Sequence, residues 1–241
     1  MVNSGIKSFV KRNFPFVVSD FISVKLFLKR FITRRISNQK IFLEICHKCK
    51  WGDTESLSGP GSSLAQTEKI RSELPLLLAK LGAKSLLDIP CGDFNWMKEI
   101  DLTLESYIGA DIVDEITAVN NQKFGQTNRR FMPLDITKDE LPRVDIVLCR
   151  DCFVHFSYRD IARAITNIKI SESRYILTTT FNRLNKNINI FTGDLWRPLN
   201  FQIAPFNWPK PIEIINEGCT EGDNKFQDKS MGLWKISDIP V

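Results

Sequence analysis

The chain has 241 residues, of which 43% are hydrophobic and 25% are charged. This composition excludes a disordered, collagen-like or disulfide-framework protein, and the length suffices for one α/β domain with a sizeable core. The sequence holds no run of about 18 apolar residues that could span a membrane. Three of the six cysteines lie in or beside apolar runs, so we expect reduced thiols and a cytoplasmic protein.

The net charge of +5 is unevenly distributed along the chain. Nine of the 33 basic residues but only one of the 28 acidic residues lie within residues 1–40, so this segment carries +8 and the remainder carries −3. The basic isoelectric point therefore belongs to the N-terminal segment. The body of the chain gives no indication of nucleic-acid binding.

Apolar residues in the N-terminal segment recur at steps of three and four, which is typical of one face of a helix. They are Phe14, Val17, Phe21, Val24, Leu28 and Phe31, and basic residues flank them. We therefore expect a separate basic, amphipathic helical extension over residues 1–40. Three roles fit it: packing on the body, peripheral contact of residues 14–35 with a membrane or a partner, and organelle targeting.

From residue 41 onward, short β-like runs alternate with helical ones. Ser63 and Gln66 form a capping-box pattern that predicts a helix reaching Leu81, with Gly82 as its end. Further helices are predicted over Ile112–Phe124 and, after a cap at Ser157, over Ile161–Ile168. The predicted strands are Ser85–Ile89, Tyr107–Ala110, Arg129–Leu134, Val144–Cys149, Arg174–Thr180, Ile212–Ile215 and Met231–Ile236. The alternation indicates one α/β domain over residues 41–241, with a mostly parallel sheet and helices on both faces.

Acidic residues follow four of the predicted strands, where ligands bind in such sheets. They are Asp88, Asp111, Asp135 and Asp151. Asp111 comes 23 residues after Asp88, a spacing at which an acid commonly binds ribose hydroxyls. The turn after the first strand contains Gly92 but lacks the other glycines that a dinucleotide's pyrophosphate needs. These features together predict a nucleoside cofactor without phosphates.

Four segments resemble, in order, the motifs of class I S-adenosylmethionine-dependent methyltransferases. They are Leu86–Asp93 (LLDIPCGD), Tyr107–Ile112 (YIGADI), Phe131–Ile136 (FMPLDI) and Val144–Asp151 (VDIVLCRD). The resemblance implies a Rossmann-like, doubly wound sheet of seven strands and S-adenosyl-L-methionine as the cofactor. By the same resemblance, Asp111 holds the ribose and Asp135 meets the adenine amino group, and Ile112 and Ile136 are further cofactor-binding residues. The methionine end is expected at Asp88, Pro90 and Gly92, and Cys149 is expected to border the cofactor.

The glycine-rich turn of that family is altered in this chain. Pro90 stands at the first glycine position and Phe94 at the last. The fixed φ of proline is expected to rigidify the loop. The bulk of Phe94 is expected to reshape the amino-acid end of the cofactor site.

Methyl transfer to an oxygen requires an aligned acceptor and benefits from a general base. His155 lies four residues after Asp151, so one helical turn would bring the two side chains together as candidate catalytic residues. The alternative role for His155 is a hydrogen bond that fixes the local backbone, and Asp151 more readily shapes the pocket than acts as a base.

Residues 182–211 follow the fifth strand, where the family commonly builds its substrate lid. Trp196, Arg197 and Asn200 combine aromatic and polar groups that suit a small, saccharide-like acceptor. An ordinary packed connection is the alternative for this segment. The loop Ser58–Ser62 is expected to close over the cofactor from the other side.

Three other interpretations of the sequence remain. The two C-x-x-C pairs, Cys46/Cys49 and Cys149/Cys152, lack a zinc-ribbon context, so no metal is expected. A non-catalytic module that docks to a membrane or a partner through its basic N-terminus would fit the altered turn. A nucleotide-dependent oxidoreductase would use the same sheet, but the missing glycines count against it.

Overall fold

The computed structural model describes residues 36–51, 54–194 and 196–240. Its centre is a seven-stranded sheet in the order β3-β2-β1-β4-β5-β7-β6. All strands are parallel except β7, which runs antiparallel to β5 and β6. The strands are β1 Ser85–Asp88, β2 Ser106–Asp111, β3 Arg129–Pro133, β4 Ile146–Cys149, β5 Tyr175–Phe181, β6 Glu213–Asn216 and β7 Lys229–Lys235. The expected doubly wound, mostly parallel, seven-stranded fold is confirmed.

Helices connect the strands, and their ends follow local sequence signals. The helices are α1 Asn38–His47, α2 Glu68–Leu81, α3 Asp114–Phe124, α4 Tyr158–Ile170 and a short α5 Glu221–Asn224. The hydroxyl of Ser157 accepts a hydrogen bond from the Asp160 amide and caps α4, as predicted. Helix α2 ends at Gly82, whose φ of 59° is the left-handed conformation that glycine adopts without strain.

The sheet is covered on both faces because neighbouring residues of its central strands point in opposite directions. Leu87 and Val147 belong to one buried apolar cluster, which also contains residues of α1 and α4. Leu86 and Leu148 belong to a second cluster on the other face, together with residues of α2. Near-continuous apolar strands are typical of parallel sheets buried in this way.

The structure differs from the sequence expectations at two helix starts. Helix α2 begins at Glu68 rather than near Ser63. The Ser63 hydroxyl still accepts from the Gln66 amide at 3.4 Å, but the Gln66 side chain bonds to Thr220, so only half of the capping box is formed. Helix α1 begins at Asn38, so the expected boundary at residue 40 falls within a helix whose Phe42 and Ile45 are buried. The apolar stripe from Phe14 to Phe31 lies outside the described residues. Within the described ranges, no helix is both long and apolar enough to cross a bilayer.

Candidate functional site

The parallel register brings the ends of β1, β2 and β3 to one edge of the sheet. Asp88 pairs with Gly109, and Asp111 pairs with Pro133. Strand order reverses between β1 and β4, where a crevice forms at the carboxyl edge of a doubly wound sheet. The four acidic residues singled out from the sequence all line a cavity at this edge.

This cavity, which we call the inner cavity, encloses about 1100 Å³ of space that is partly open to solvent. Its walls come from the strand ends, from α1 and from the loop that precedes α2. The lining residues include Phe42, Cys46, Trp51, Ser58, Ser62, Asp88, Pro90, Gly92, Trp96, Asp111, Ile112, Leu134, Asp135, Ile136, Arg150, Asp151, Cys152 and His155. Every cofactor-site residue predicted from the sequence lines it except Cys149, which is buried at the end of β4.

Asp111 is fixed by backbone amides. Its two carboxylate oxygens accept hydrogen bonds from Gly92 N (3.1 Å) and Val113 N (2.9 Å). Burial raises the pKa of Asp111 to about 6, although these amide bonds act in the opposite direction. Gly92 has a φ of 52°, and a Cβ there would lie 2.1 Å from the Ser58 hydroxyl. Glycine is therefore required for the loop around Ser58 to approach this turn.

Asp88 lies at the end of β1 and is 3% exposed. Burial raises its pKa to about 7, and the 2.6 Å hydrogen bond that it accepts from the Tyr107 hydroxyl only partly offsets this effect. Near neutral pH, the carboxyl is therefore in balance between its neutral and charged forms, with both populated. A cationic group placed beside it would shift that balance toward the carboxylate.

Asp135 is held at the end of β3 by the following turn. Its Oδ1 accepts hydrogen bonds from the amide and the hydroxyl of Thr137, at 2.9 and 2.6 Å. Ile112 and Ile136 line the cavity near the two carboxylates of Asp111 and Asp135. This part of the cavity combines apolar walls with fixed acceptors.

Phe94 does not reshape the inner cavity, contrary to the sequence expectation. Its φ is 60°, a glycine-like conformation, and its ring is not among the cavity walls. The ring is 2% exposed and packs against Tyr107, Phe124 and Phe131 at centroid distances of 5.0 to 5.5 Å. Packing against three aromatic rings offsets the cost of the left-handed backbone.

The loop before α2 crosses the inner cavity opposite the strand ends. We call residues 55–62 the strap. The Ser56 hydroxyl and the Leu57 amide both donate to Asp93, at 2.9 and 2.8 Å. At its other end, the Gly61 carbonyl accepts a hydrogen bond of 2.8 Å from Arg150. The strap is thus tied to the turn after β1 and to the end of β4.

A second cavity, which we call the outer cavity, adjoins the first. Both are lined by Trp51, Ser58, Asp151 and His155. Three aromatic rings form one wall of the outer cavity: Trp196 lies 4.7 Å from Phe226 and 6.2 Å from Phe181 between ring centroids. The wall also carries charged residues, namely Lys50, Asp194, Glu221 and Lys229.

Asp151 belongs to a cluster of ion pairs between the two cavities. Its Oδ2 lies 2.6 Å from Lys229 Nζ and 3.4 Å from Arg150 Nη1. Both cations also contact Glu217, which is 3% exposed. Burial alone would raise the pKa of Asp151, but Lys229 and Arg150 outweigh it and lower the pKa to about 2. Asp151 is therefore a carboxylate at neutral pH and a poor proton acceptor.

His155 ends a short 3₁₀ turn, Phe153–His155, that follows β4. Its ring lies 5.3 Å from the Trp51 ring and bonds to the backbone of Asp194. Burial lowers the pKa of His155 to about 4, which the nearby Asp151 only partly opposes. The imidazole is therefore neutral at pH 7 and faces both cavities.

The three residues expected to bind the acceptor lie in different surroundings. Trp196 is 42% exposed and lines the outer cavity. Arg197 is buried away from both cavities and donates to the carbonyl oxygens of Phe153, Phe156 and Ile188. Asn200 is also buried and bonds to the Leu184 carbonyl. Arg197 and Asn200 hold backbone in place, so our proposal for the acceptor site does not include them.

Several lining residues were not singled out from the sequence. They come from segments that lie up to 133 positions apart in the sequence, and they are Arg150, Trp96, Lys229 and Phe226. Arg150 directly precedes Asp151, and its guanidinium lies 5.4 Å from the Trp96 ring centroid. The sequence signal that could have identified Arg150 was its position within the fourth motif. Lys229 carried no local signal, because its place follows from the pairing of β7 with β5.

Searches with the sequence find neither a matching family model nor a matching curated protein. Solved structures do match. The N-methyltransferase NodS from Bradyrhizobium japonicum WM9, in complex with S-adenosyl-L-homocysteine, aligns with a TM-score of 0.57 at 10% identity, over 80% of this chain and 96% of that chain. The methyltransferase domain of bacterial CtHen1 aligns with a TM-score of 0.51 at 12% identity, over 72% of this chain and 98% of that chain. The chain therefore has the fold of the class I S-adenosylmethionine-dependent methyltransferases.

Proposed function

We propose that this protein transfers a methyl group from S-adenosylmethionine to a hydroxyl group of a small, saccharide-like acceptor. The observation that carries the proposal is the junction of the two cavities. The inner cavity has the features of a nucleoside site, the outer cavity has an aromatic wall, and His155 lines both. A transferred group could therefore pass between them without crossing solvent.

The residues of the inner cavity fit the cofactor. Asp111 would accept the ribose hydroxyls, Ile112 and Ile136 would flank the adenine, and Asp135 would accept from the adenine amino group. Asp88 would face the α-ammonium group of the methionine end. Arg150 would meet its α-carboxylate, because it is the sole Lys or Arg among the residues found to line this cavity.

Charge also distinguishes this cofactor from a dinucleotide. The described walls of the inner cavity carry five aspartates and one arginine. The sulfonium and ammonium groups of S-adenosylmethionine suit that excess of carboxylates, whereas the diphosphate of a nicotinamide dinucleotide would be repelled by it. This argument supports methyl transfer over the oxidoreductase alternative.

When bound, S-adenosylmethionine supplies a methyl group on a cationic sulfur, which the acceptor oxygen takes up in line as its O–H proton leaves. His155 would receive that proton, because its imidazole lines both cavities and is unprotonated at neutral pH. With a pKa of about 4 it is a weak base, so it would take the proton only as the new O–C bond forms and the hydroxyl becomes acidic. The Asp151 carboxylate would stabilise the imidazolium that forms. With cofactor and acceptor bound, Trp51 and the strap would help to hold the reactants together and to exclude water.

The acceptor assignment is supported by the composition of the outer cavity. The aromatic wall offers a flat apolar surface, and the carboxylates of Asp151 and Glu221 offer acceptors for hydroxyl groups. Sugars present such a combination, with an apolar ring face and hydroxyls at the rim.

The proposal is tested by methyl transfer from radiolabelled S-adenosylmethionine to a panel of methyl glycosides of common hexoses and pentoses. We expect an O-methylated glycoside, identified by mass and by nuclear magnetic resonance, together with S-adenosylhomocysteine. Cofactor binding without turnover of any glycoside in the panel would overturn the proposal and favour the non-catalytic docking module.

A further inference from the structure

We propose that Lys229 and Asp151 together form a clamp for the hydroxyl group next to the one that is methylated, so that the acceptor must carry a vicinal diol. This inference rests on the proposed function and names a specificity-determining residue, Lys229, that the motifs do not contain. It follows from how an ammonium and a carboxylate are presented side by side in the wall of the outer cavity.

Lys229 is an unusual component of a cavity wall because it is 5% exposed and still charged. Its Nζ lies 2.6 Å from Asp151 Oδ2 and 3.3 Å from Glu217 Oε2. An ammonium has three N–H donors, so these two carboxylates leave one donor for a ligand. Asp151 and Glu217 outweigh the effect of burial and raise the pKa of Lys229, so the ammonium stays charged at the wall of the outer cavity.

Asp151 presents its carboxylate from a constrained position. Its φ is 51°, a left-handed conformation that aspartate tolerates better than most residues with a side chain. The backbone amide of Asp151 donates to the Thr179 hydroxyl at 2.8 Å, which fixes the turn. The residue is thereby held with its carboxylate beside Lys229 and between the two cavities.

Such a pair matches a hydroxyl group in both hydrogen-bonding roles. The hydroxyl can donate to the Asp151 carboxylate and accept from the Lys229 ammonium at the same time. The pair lies beside His155 at the junction of the cavities, so the hydroxyl that it holds would neighbour the one that reacts. The strap packs closely against the pair, since a Cβ at Gly61 would lie 3.3 Å from Glu221 Oε2, 3.5 Å from Asp151 Oδ2 and 3.6 Å from Lys229 Nζ. The hydroxyl would therefore reach the pair from the outer cavity.

The aromatic wall orients the ring that carries the diol. Trp196 packs edge to face on Phe226, and Phe181 stacks on Trp196 with an interplanar angle of 24°. The exposed part of Trp196 offers a flat surface for the apolar face of a sugar ring. With the ring face on this wall, its rim hydroxyls can point toward Asp151, Lys229 and His155.

The wild-type enzyme can test this inference without any substitution. For a glycoside that is methylated, the modified position is first determined by nuclear magnetic resonance, and monodeoxy analogues are then compared by kcat/KM. We expect removal of the hydroxyl adjacent to the methylated position to lower kcat/KM by on the order of 100-fold, because it leaves a desolvated charge pair unmatched. Removal of a distant hydroxyl should change it less than about threefold.

If adjacent and distant deoxy analogues are used equally well, the clamp is wrong while the proposed methyl transfer stands. If S-adenosylhomocysteine binds but no glycoside is methylated, the saccharide acceptor and the clamp both fail. If neither cofactor form binds, the proposed function itself fails. These three results are distinguishable in one set of measurements.

A substitution adds a test that a purely structural role would not pass. Lys229→Met should raise KM for the accepted glycoside and also abolish the difference between that glycoside and its adjacent-deoxy analogue. The control is Lys235→Met, the same substitution at an exposed position of the same strand, which should keep the discrimination. A folded Lys229→Met enzyme that still discriminates about 100-fold would overturn the inference.

Discussion

Asp88, which is proposed to face the methionine end of the cofactor, makes the stability of the folded protein depend on pH. The carboxyl is buried, and burial raises its pKa to about 7, above the unfolded value near 4. The folded state therefore binds a proton more tightly than the unfolded state, so stability is lost as pH rises from about 4 through 7. The loss amounts to on the order of a few kcal/mol, because one pKa unit corresponds to about 1.4 kcal/mol.

We predict that Asp88→Asn raises the melting temperature at pH 7.5 by roughly 5 °C or more, with little change at pH 4. The amide keeps an oxygen that can accept from the Tyr107 hydroxyl but avoids a buried charge. Differential scanning calorimetry at the two pH values measures the effect. An equal shift at both would show that ionisation of Asp88 is not its cause.

His155 gives a prediction about catalysis. His155→Gln should lower kcat by about 100-fold or more, since the residue is proposed to receive the acceptor proton, while the Kd for S-adenosylhomocysteine stays within about threefold. The matched control is His47→Gln, because His47 is the other histidine and pairs with Glu115 on the surface. A small effect on kcat would assign His155 to its alternative role, the hydrogen bond to the Asp194 backbone.

The pH profile provides an independent test of His155. Because burial lowers its pKa to about 4, the imidazole is neutral over the whole range from pH 6 to 8. At saturating cofactor, kcat should therefore be flat across this range and should decrease only as the pH approaches 4. A decrease centred near pH 6.5 would mean that the group titrates as an ordinary histidine and would contradict the assigned environment.

At the scale of elements, we expect the strap to control access to the inner cavity. Asp93 ties it down through the Ser56 hydroxyl and the Leu57 amide. Asp93→Ala should increase amide exchange over residues 55–62 and speed dissociation of S-adenosylhomocysteine by about tenfold, because bonds to a carboxylate contribute more than neutral ones. Hydrogen exchange and stopped-flow displacement measure the two effects.

The control for the strap is Glu99→Ala, which removes an exposed acid from the 3₁₀ turn Met97–Glu99 that follows the same loop. It should leave both exchange and dissociation unchanged. Unaltered dissociation in Asp93→Ala, together with faster exchange, would show that the strap moves without governing the cofactor.

Individual elements could be predicted from the sequence where a local signal decided them. The cap at Ser157, the stop at Gly82 and all seven strands required only short-range patterns. The start of α2 was predicted too early, and the Gln66 side chain of the predicted capping box bonds instead to Thr220, 154 positions away. Likewise, the place of Phe94 in the glycine-rich turn predicted a ring beside the cavity. The ring packs elsewhere because its three aromatic partners come from β2, β3 and α3, which local patterns do not connect to it.

At the scale of the whole molecule, the site is built from distant segments. The motif acids could be located from the sequence because parallel strands all end at one edge of the sheet. The other half of the site could not, since Trp51 follows α1, Phe226 follows α5 and Lys229 begins β7, and none of the three belongs to a motif. The charge balance of the inner cavity also depends on this assembly. The excess of five aspartates over one arginine would favour the cationic cofactor of the proposed function.

The most direct test of the central claim is calorimetric titration of the full-length protein with S-adenosylhomocysteine and S-adenosylmethionine, alongside Asp111→Ala and the exposed control Asp101→Ala. We predict micromolar binding to the wild type and to Asp101→Ala, and a loss of at least about 100-fold in Asp111→Ala, whose ribose acceptor is gone. Circular dichroism should show that all three proteins are folded. No binding to the folded wild type, or equal binding to Asp111→Ala, would contradict the assignment of the inner cavity as the cofactor site.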